Sequence, residues 1–190
     1  MNDPKTLRLF IALDFPKQIC SKLFYLQDKI TPDIAKIKWV EEENFHITLK
    51  FLGDVNEDKI PQIKEKLSLI KFKDFSSSIN QSGIFPSNNY IKVIWLGLMP
   101  YEKICLLHNK IDNSLLTLDF TKEDSFQSHA TLGRVKYVHK KELLIEKIRK
   151  IEELILGEIF TISSFSLKKS TLTKKGPVYK DIAIFNSKSQ

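Results

Sequence analysis

Apolar and polar residues along the chain alternate with two periods: a period of two predicts strands, and apolar residues three or four apart predict helices. The apolar run at 7–14 reads as a buried strand. Pro16 suits a first helical turn, and Ile19, Leu23, Leu26 and Ile30 give a helix over 17–30 its apolar stripe. Residues 37–40 read as a short strand, 41–44 as a charged turn, and 45–52 as a strand ended by Gly53-Asp54. Ile60, Ile63, Leu67 and Ile70 predict a helix over 58–72. The alternating stretch 75–84 reads as a strand at or near a sheet edge, 85–89 as a turn, and 90–98 as a central strand. Ile104, Leu107, Ile111 and Leu115 predict a helix over 100–118. A strand at 128–135 follows, then a helix over 140–156 carrying Leu143, Ile148, Ile151 and Leu154, stopped by Gly157. The alternation at 158–169 reads as one strand, extended by 170–175 into a turn at 175–177. A last strand at 179–185 precedes a polar tail, 186–190, expected to fray.

Three strand pairs come without an intervening helix: 37–40 with 45–52, 75–84 with 90–98, and 158–169 with 179–185. This pattern predicts an α+β fold with antiparallel or mixed sheets and helices packed outside. No low-complexity linker divides the chain, so one domain over 1–190 is expected. Each half holds a strand, a helix and a strand of one special type, which implies an internal duplication of two facing lobes.

That special type is His46-Ile47-Thr48-Leu49, repeated as His129-Ala130-Thr131-Leu132. On a regular strand His46 and Thr48 share one face, and Ile47, Leu49 and Phe51 the other. The chain has four histidines, and two lie in this setting, 83 positions apart. Facing each other across a cleft, the strands would present two imidazoles and two hydroxyls. With a pKa of about 6.5, one imidazole can take a proton while the other gives one. The hydroxyls can hydrogen-bond the non-bridging oxygens of a phosphate. Arg134 shares the face of Leu132 unless a bulge at Gly133 redirects its guanidinium to the cleft. Such a site suits an already activated substrate, for which a strained cyclic phosphate is one candidate. His108 and His139 read as surface residues, and Phe126 and Tyr179 as core aromatics before base-stacking ones.

Composition narrows the partners. The chain has 190 residues, 42% apolar and 28% charged, with a formal charge of +7 that favours a phosphate-bearing partner. Cys20 and Cys105, without a CxxC spacing, read as buried thiols in a reducing compartment. The start lacks signal-peptide features and no apolar run matches a bilayer, so a cytoplasmic protein with no membrane partner is expected. No HExxH, His-x-His or cysteine cluster argues for a metal, although a two-His zinc site with a distant carboxylate stays open. No G-x-S-x-G or glycine-rich phosphate loop points to a serine hydrolase or to ATP.

The paired His-x-Thr motifs resemble the signature of the two-histidine (2H) phosphoesterase superfamily. Leu7-Arg8-Leu9-Phe10-Ile11-Ala12-Leu13-Asp14, Trp39-Val40, Leu49-Lys50-Phe51-Leu52-Gly53, Ser170-x-Leu172 and Gly176-Pro177-x-Tyr179 resemble its RNA 2′,3′-cyclic phosphodiesterase branch, also called the 2′-5′ RNA ligase (ThpR/LigT) family. The resemblance implies a bilobal, pseudo-twofold fold around a central groove. It implies metal-independent opening of RNA 2′,3′-cyclic phosphates to 2′-phosphates, with no cofactor. By the motif match, His46 would be the proton donor to O3′ and His129 the proton acceptor from water. Thr48 and Thr131 would bind phosphate, and Arg134 would line the nucleotide site. The chain departs from the family pattern at Ser128, usually Pro, and Gly133, usually Ala. Expected partners are RNA with cyclic phosphate ends or nucleoside cyclic phosphates, acted on by a monomer with no obligate protein partner. Reversible 2′-5′ ligation and a non-catalytic RNA-end binding module are the alternatives.

Overall fold

The computed structural model describes residues 5–174 and 176–188. Lys175, in the turn expected at 175–177, and Ser189 and Gln190 of the expected frayed tail lie outside them. In chain order the elements are β1 (Thr6–Asp14), α1 (Lys17–Gln27), β2 (Ala35–Trp39), β3 (His46–Asn56), α2 (Ile60–Ser68), β4 (Phe75–Ser87), β5 (Tyr90–Met99), α3 (Tyr101–Leu115), β6 (His129–Val138), α4 (Lys141–Ile155), β7 (Ile159–Ile162), β8 (Ser164–Leu172) and β9 (Pro177–Asn186). The fold is α+β, as expected.

All nine strands join one antiparallel sheet in the order β7-β4-β5-β6-β3-β1-β8-β9, with β2 also on β6. Two runs of four strands, with β2 as a ninth beside β6, meet at β3 and β6, which are paired through Ile47 and Ala130. The helices bury their stripes on the sheet: Ile19, Leu23 and Leu26 from α1, Ile63 and Leu67 from α2, and Ile104, Leu107, Ile111 and Leu115 from α3. Each such side chain, fully buried, contributes about 1.5–3 kcal/mol. The stripe of α4 is Leu144, Ile148, Ile151 and Ile155. Leu154, expected on it, is exposed, because the 4-3-4 spacing from Leu144 turns position 154 outward.

Several boundaries differ from expectation. Gly53 does not end its strand. At φ +72° it pairs with Leu9 just after a bulge whose extra residue is Leu52, and pairing runs on to Asn56. The turn expected at 85–89 shrinks to Asn88-Asn89, because pairing of β4 with β5 continues to Ser87 and Tyr90. The single strand expected at 158–169 is two. β7 pairs with β4 at one edge, and after Ser163 the chain passes to the other half, where β8 pairs with β1 and β9. Cys20 is buried, which pushes its thiol up to about 11. Cys105, also expected to be buried, is half-exposed.

Candidate active site

The pairing of Ile47 with Ala130 joins the middle residues of the two His-x-Thr motifs. In an antiparallel pair this register sets His46 across from Thr131 and Thr48 across from His129. All four face one cavity of about 720 Å³. The imidazoles are held alike. His46 Nδ1 lies 2.7 Å from the Asn44 carbonyl, and His129 Nδ1 lies 2.9 Å from the Gln127 carbonyl. A carbonyl only accepts, so each Nδ1 carries hydrogen and each Nε2 is left to the cavity. An aromatic edge braces each ring: Tyr179 at 5.2 Å from His46 and Phe85 at 5.3 Å from His129, both at 89°. His46 Nε2 lies 3.1 Å from Thr48 Oγ1.

Both motif strands then bulge at the same place. Opposite β1, Leu49 is the extra residue between Thr48 and Lys50; opposite β5, Leu132 is the extra residue between Thr131 and Gly133. A bulge leaves a carbonyl out of the ladder, and a buried one must find a donor. His108 of α3 supplies it at Leu49, through Nδ1 at 2.7 Å. The Leu132 carbonyl accepts from the Val40 N–H at 3.2 Å, and Gln27 of α1 adds a second donor at 3.4 Å while also donating to the Val40 carbonyl at 2.8 Å. Each half therefore secures the motif of the other. His108, expected on the surface, is 3% exposed and stacks on Phe126 at 4.1 Å. Position 108 lies on the α3 stripe of 104, 107, 111 and 115, the signal that predicts its burial. His139 is exposed, as expected.

The bulges also reverse the faces beyond them. Phe51, expected on the core side, is 70% exposed and lines the cavity, while Lys50 is 2% exposed. In the same way Arg134 leaves the face of Leu132 and lines the cavity, and Gly133 turns inward. Phe51 and Arg134 are 83 residues apart, the spacing of the motifs, so they are counterparts. Tyr179 and Phe10 were not distinguished from core in the sequence, yet both line the cavity. So do Arg8 and Lys38.

Burial holds the His46 imidazole below its usual range. The Asn44 carbonyl and the Asp14 carboxylate work against this, while Lys168 and the nearby His129 add to it. Lys168 lies 3.0 Å from Asp14 and 2.5 Å from Asp181, and Ser166 donates to Asp14 at 2.8 Å. Burial also raises the Tyr179 hydroxyl, against the pull of Arg134 and Arg8. Among the described residues, no three His, Cys, Asp or Glu side chains gather as a metal would need, and no helix is long and apolar enough to cross a membrane.

The model of the LigT-like phosphoesterases matches residues 13–95 and 98–179, one motif in each segment. The chain belongs to the LigT-like phosphoesterase family. Relatives within it include a protein of Archaeoglobus fulgidus, 36% identical over 94% of this chain and 99% of its own, and one of Methanocaldococcus jannaschii, 38% identical over 93% and 98%. Both are named RNA 2′,3′-cyclic phosphodiesterase. The LigT-like fold is shared with E. coli LigT, crystallised with 3′-AMP: TM-score 0.75 at 20% identity, over 97% of this chain and 100% of that one.

Proposed function

We propose that this protein opens the 2′,3′-cyclic phosphate at an RNA end to a 2′-phosphate, without a metal, using His46 and His129 as an acid–base pair. The observation that carries the reading is the matched seating of two imidazoles, each with Nδ1 tied to a carbonyl two residues back and Nε2 left to one cavity. The names of the archaeal relatives support the substrate class.

The substrate's phosphorus sits between the motifs. Thr48 and Thr131 donate to its non-bridging oxygens. His129 Nε2 takes a proton from water as the oxygen of that water bonds to phosphorus. The bond from phosphorus to O3′ breaks, and protonated His46 gives its Nε2 proton to O3′. The products are a free 3′-hydroxyl and a 2′-phosphate. Exchange with solvent then returns a proton to His46 and removes one from His129. His46 must be protonated at the start, and the anionic substrate raises its affinity for that proton. The two halves act as one domain over 1–190, since each supplies one imidazole.

The test is an oligonucleotide ending in a 2′,3′-cyclic phosphate, incubated with a chelator. A 2′-phosphate product is expected. His46→Ala or His129→Ala lowers kcat by about 10²–10⁴-fold with an unchanged circular dichroism spectrum. A 3′-phosphate product, activity abolished by the chelator, or full activity in either variant overturns the proposal.

A further inference from the structure

The cavity holds more positive charge than one phosphate needs. Arg8 of β1, Lys38 of β2 and Arg134 of β6 all line it. The chain has three arginines in all, and two are here. The cations converge on one stretch of chain beside β9. The Lys38 ammonium lies by Gly176, 3.6 Å from where a Cβ would stand. The charges of Arg8 and Arg134 are both felt at the Tyr179 hydroxyl. Lys38 and Arg134 are also direct partners across the β2–β6 ladder. Like charges set opposite each other on a sheet cost stability. None of the three belongs to an ion pair found among the described residues, and Glu41 is the one carboxylate among the residues that line the cavity with them. Three exposed cations against one carboxylate form a site for an anion.

A nucleoside 2′,3′-cyclic phosphate carries one phosphate, which the histidines and threonines would hold. In RNA the next anion along the strand is the phosphodiester on O5′ of that terminal nucleoside. We propose that Arg8, Lys38 and Arg134 form a second phosphate site that takes this phosphodiester, so that the groove selects a strand end over a free nucleoside cyclic phosphate. This rests on the phosphodiesterase reading above and adds the residues that would discriminate a strand end from a lone nucleoside.

The experiment compares kcat/KM on four substrates with the same terminal base. They are a nucleoside 2′,3′-cyclic phosphate with a 5′-hydroxyl, the same with a 5′-phosphate, a dinucleotide with a cyclic phosphate end, and that dinucleotide with a neutral methylphosphonate link. The dinucleotide and the 5′-phosphorylated nucleotide are expected to exceed the 5′-hydroxyl compound by about 10–100-fold, mostly through KM. A gain for the dinucleotide alone assigns the site to a diester within a strand; a gain for both assigns it to any O5′ phosphate. The methylphosphonate loses the gain. Arg8→Gln and Lys38→Gln bring the ratio towards one, with melting temperatures close to the parent because both side chains are exposed. Rates equal on all four substrates, or a ratio unchanged in both variants, overturn the second site alone. Absence of turnover on every substrate overturns the phosphodiesterase reading and this site with it.

Discussion

Burial of His46 works against its charge, and that has consequences for both stability and rate. Because the folded imidazole binds a proton less readily than its ordinary value of 6.5, the unfolded chain takes up the proton first. Stability from this residue is therefore complete above about pH 6.5 and is lost as pH falls from there towards the lowered folded value. Denaturant titrations should show an unfolding free energy that declines below pH 6.5, with a shallower slope in His46→Gln. Asp14 raises the His46 affinity for a proton, and its removal also frees the opposing charge of Lys168. In Asp14→Asn the limb of the kcat/KM profile set by His46 should move further to acid. Crowding at glycines is just as local. A Cβ at Gly133 would lie 2.6 Å from the Trp39 ring and 2.7 Å from the Ile37 side chain, and one at Gly83 would lie 2.1 Å from the ring of Trp95. Gly133→Ala should cost about 1–3 kcal/mol in chemical denaturation. Gly83→Ala should shift tryptophan fluorescence and lower turnover, since Trp95 packs near His129 at 6.3 Å. The histidines and threonines of the site were legible at this scale because their face follows from simple alternation. Phe51 was not, since the bulge residue Leu49 is an ordinary strand residue with no mark of its own. Gly133 gave the one hint that Arg134 would be turned.

Between elements, one ion pair is fully buried. Lys50 of β3 pairs with Asp112 of α3, at 2% and 0% side-chain exposure. Lys50 also donates to the Thr121 carbonyl at 2.8 Å, and Asp112 accepts from the Glu123 N–H at 3.1 Å. Burial works to raise the Asp112 carboxyl, but the bonds from Lys50 and Glu123 hold it below the usual carboxylate range. The pair thus fixes the loop that runs from α3 to His129, and Tyr101 holds its far end through the Phe126 carbonyl at 2.7 Å. Lys50→Met leaves a buried carboxylate alone and should cost about 3–5 kcal/mol. Adding Asp112→Leu should restore most of that stability, and a double-mutant cycle in urea measures the difference. The helices were legible because their stripes span several turns. The latch was not, because a lysine within a strand reads as solvated until a bulge turns it inward.

At the scale of the molecule, the 83-residue recurrence of the motif announced two related halves, and the sheet has two sets of four strands meeting at β3 and β6. The passage at Ser163 was hidden, because 158–169 alternates without a break while its two parts serve opposite ends of the sheet. That passage gives the first half its outer strands from the end of the chain. A ribosome releases both histidines well before it releases β8, which shields the free edge of β1, or β9, which brings Tyr179 to His46. Until then a nascent chain shows an apolar strand with open hydrogen-bonding groups, the kind of edge that recruits strangers. A product ending at residue 163 should precipitate and show no turnover. An intact one should become competent only as its final strand is threaded into place, so a message cut short would yield no half-working enzyme.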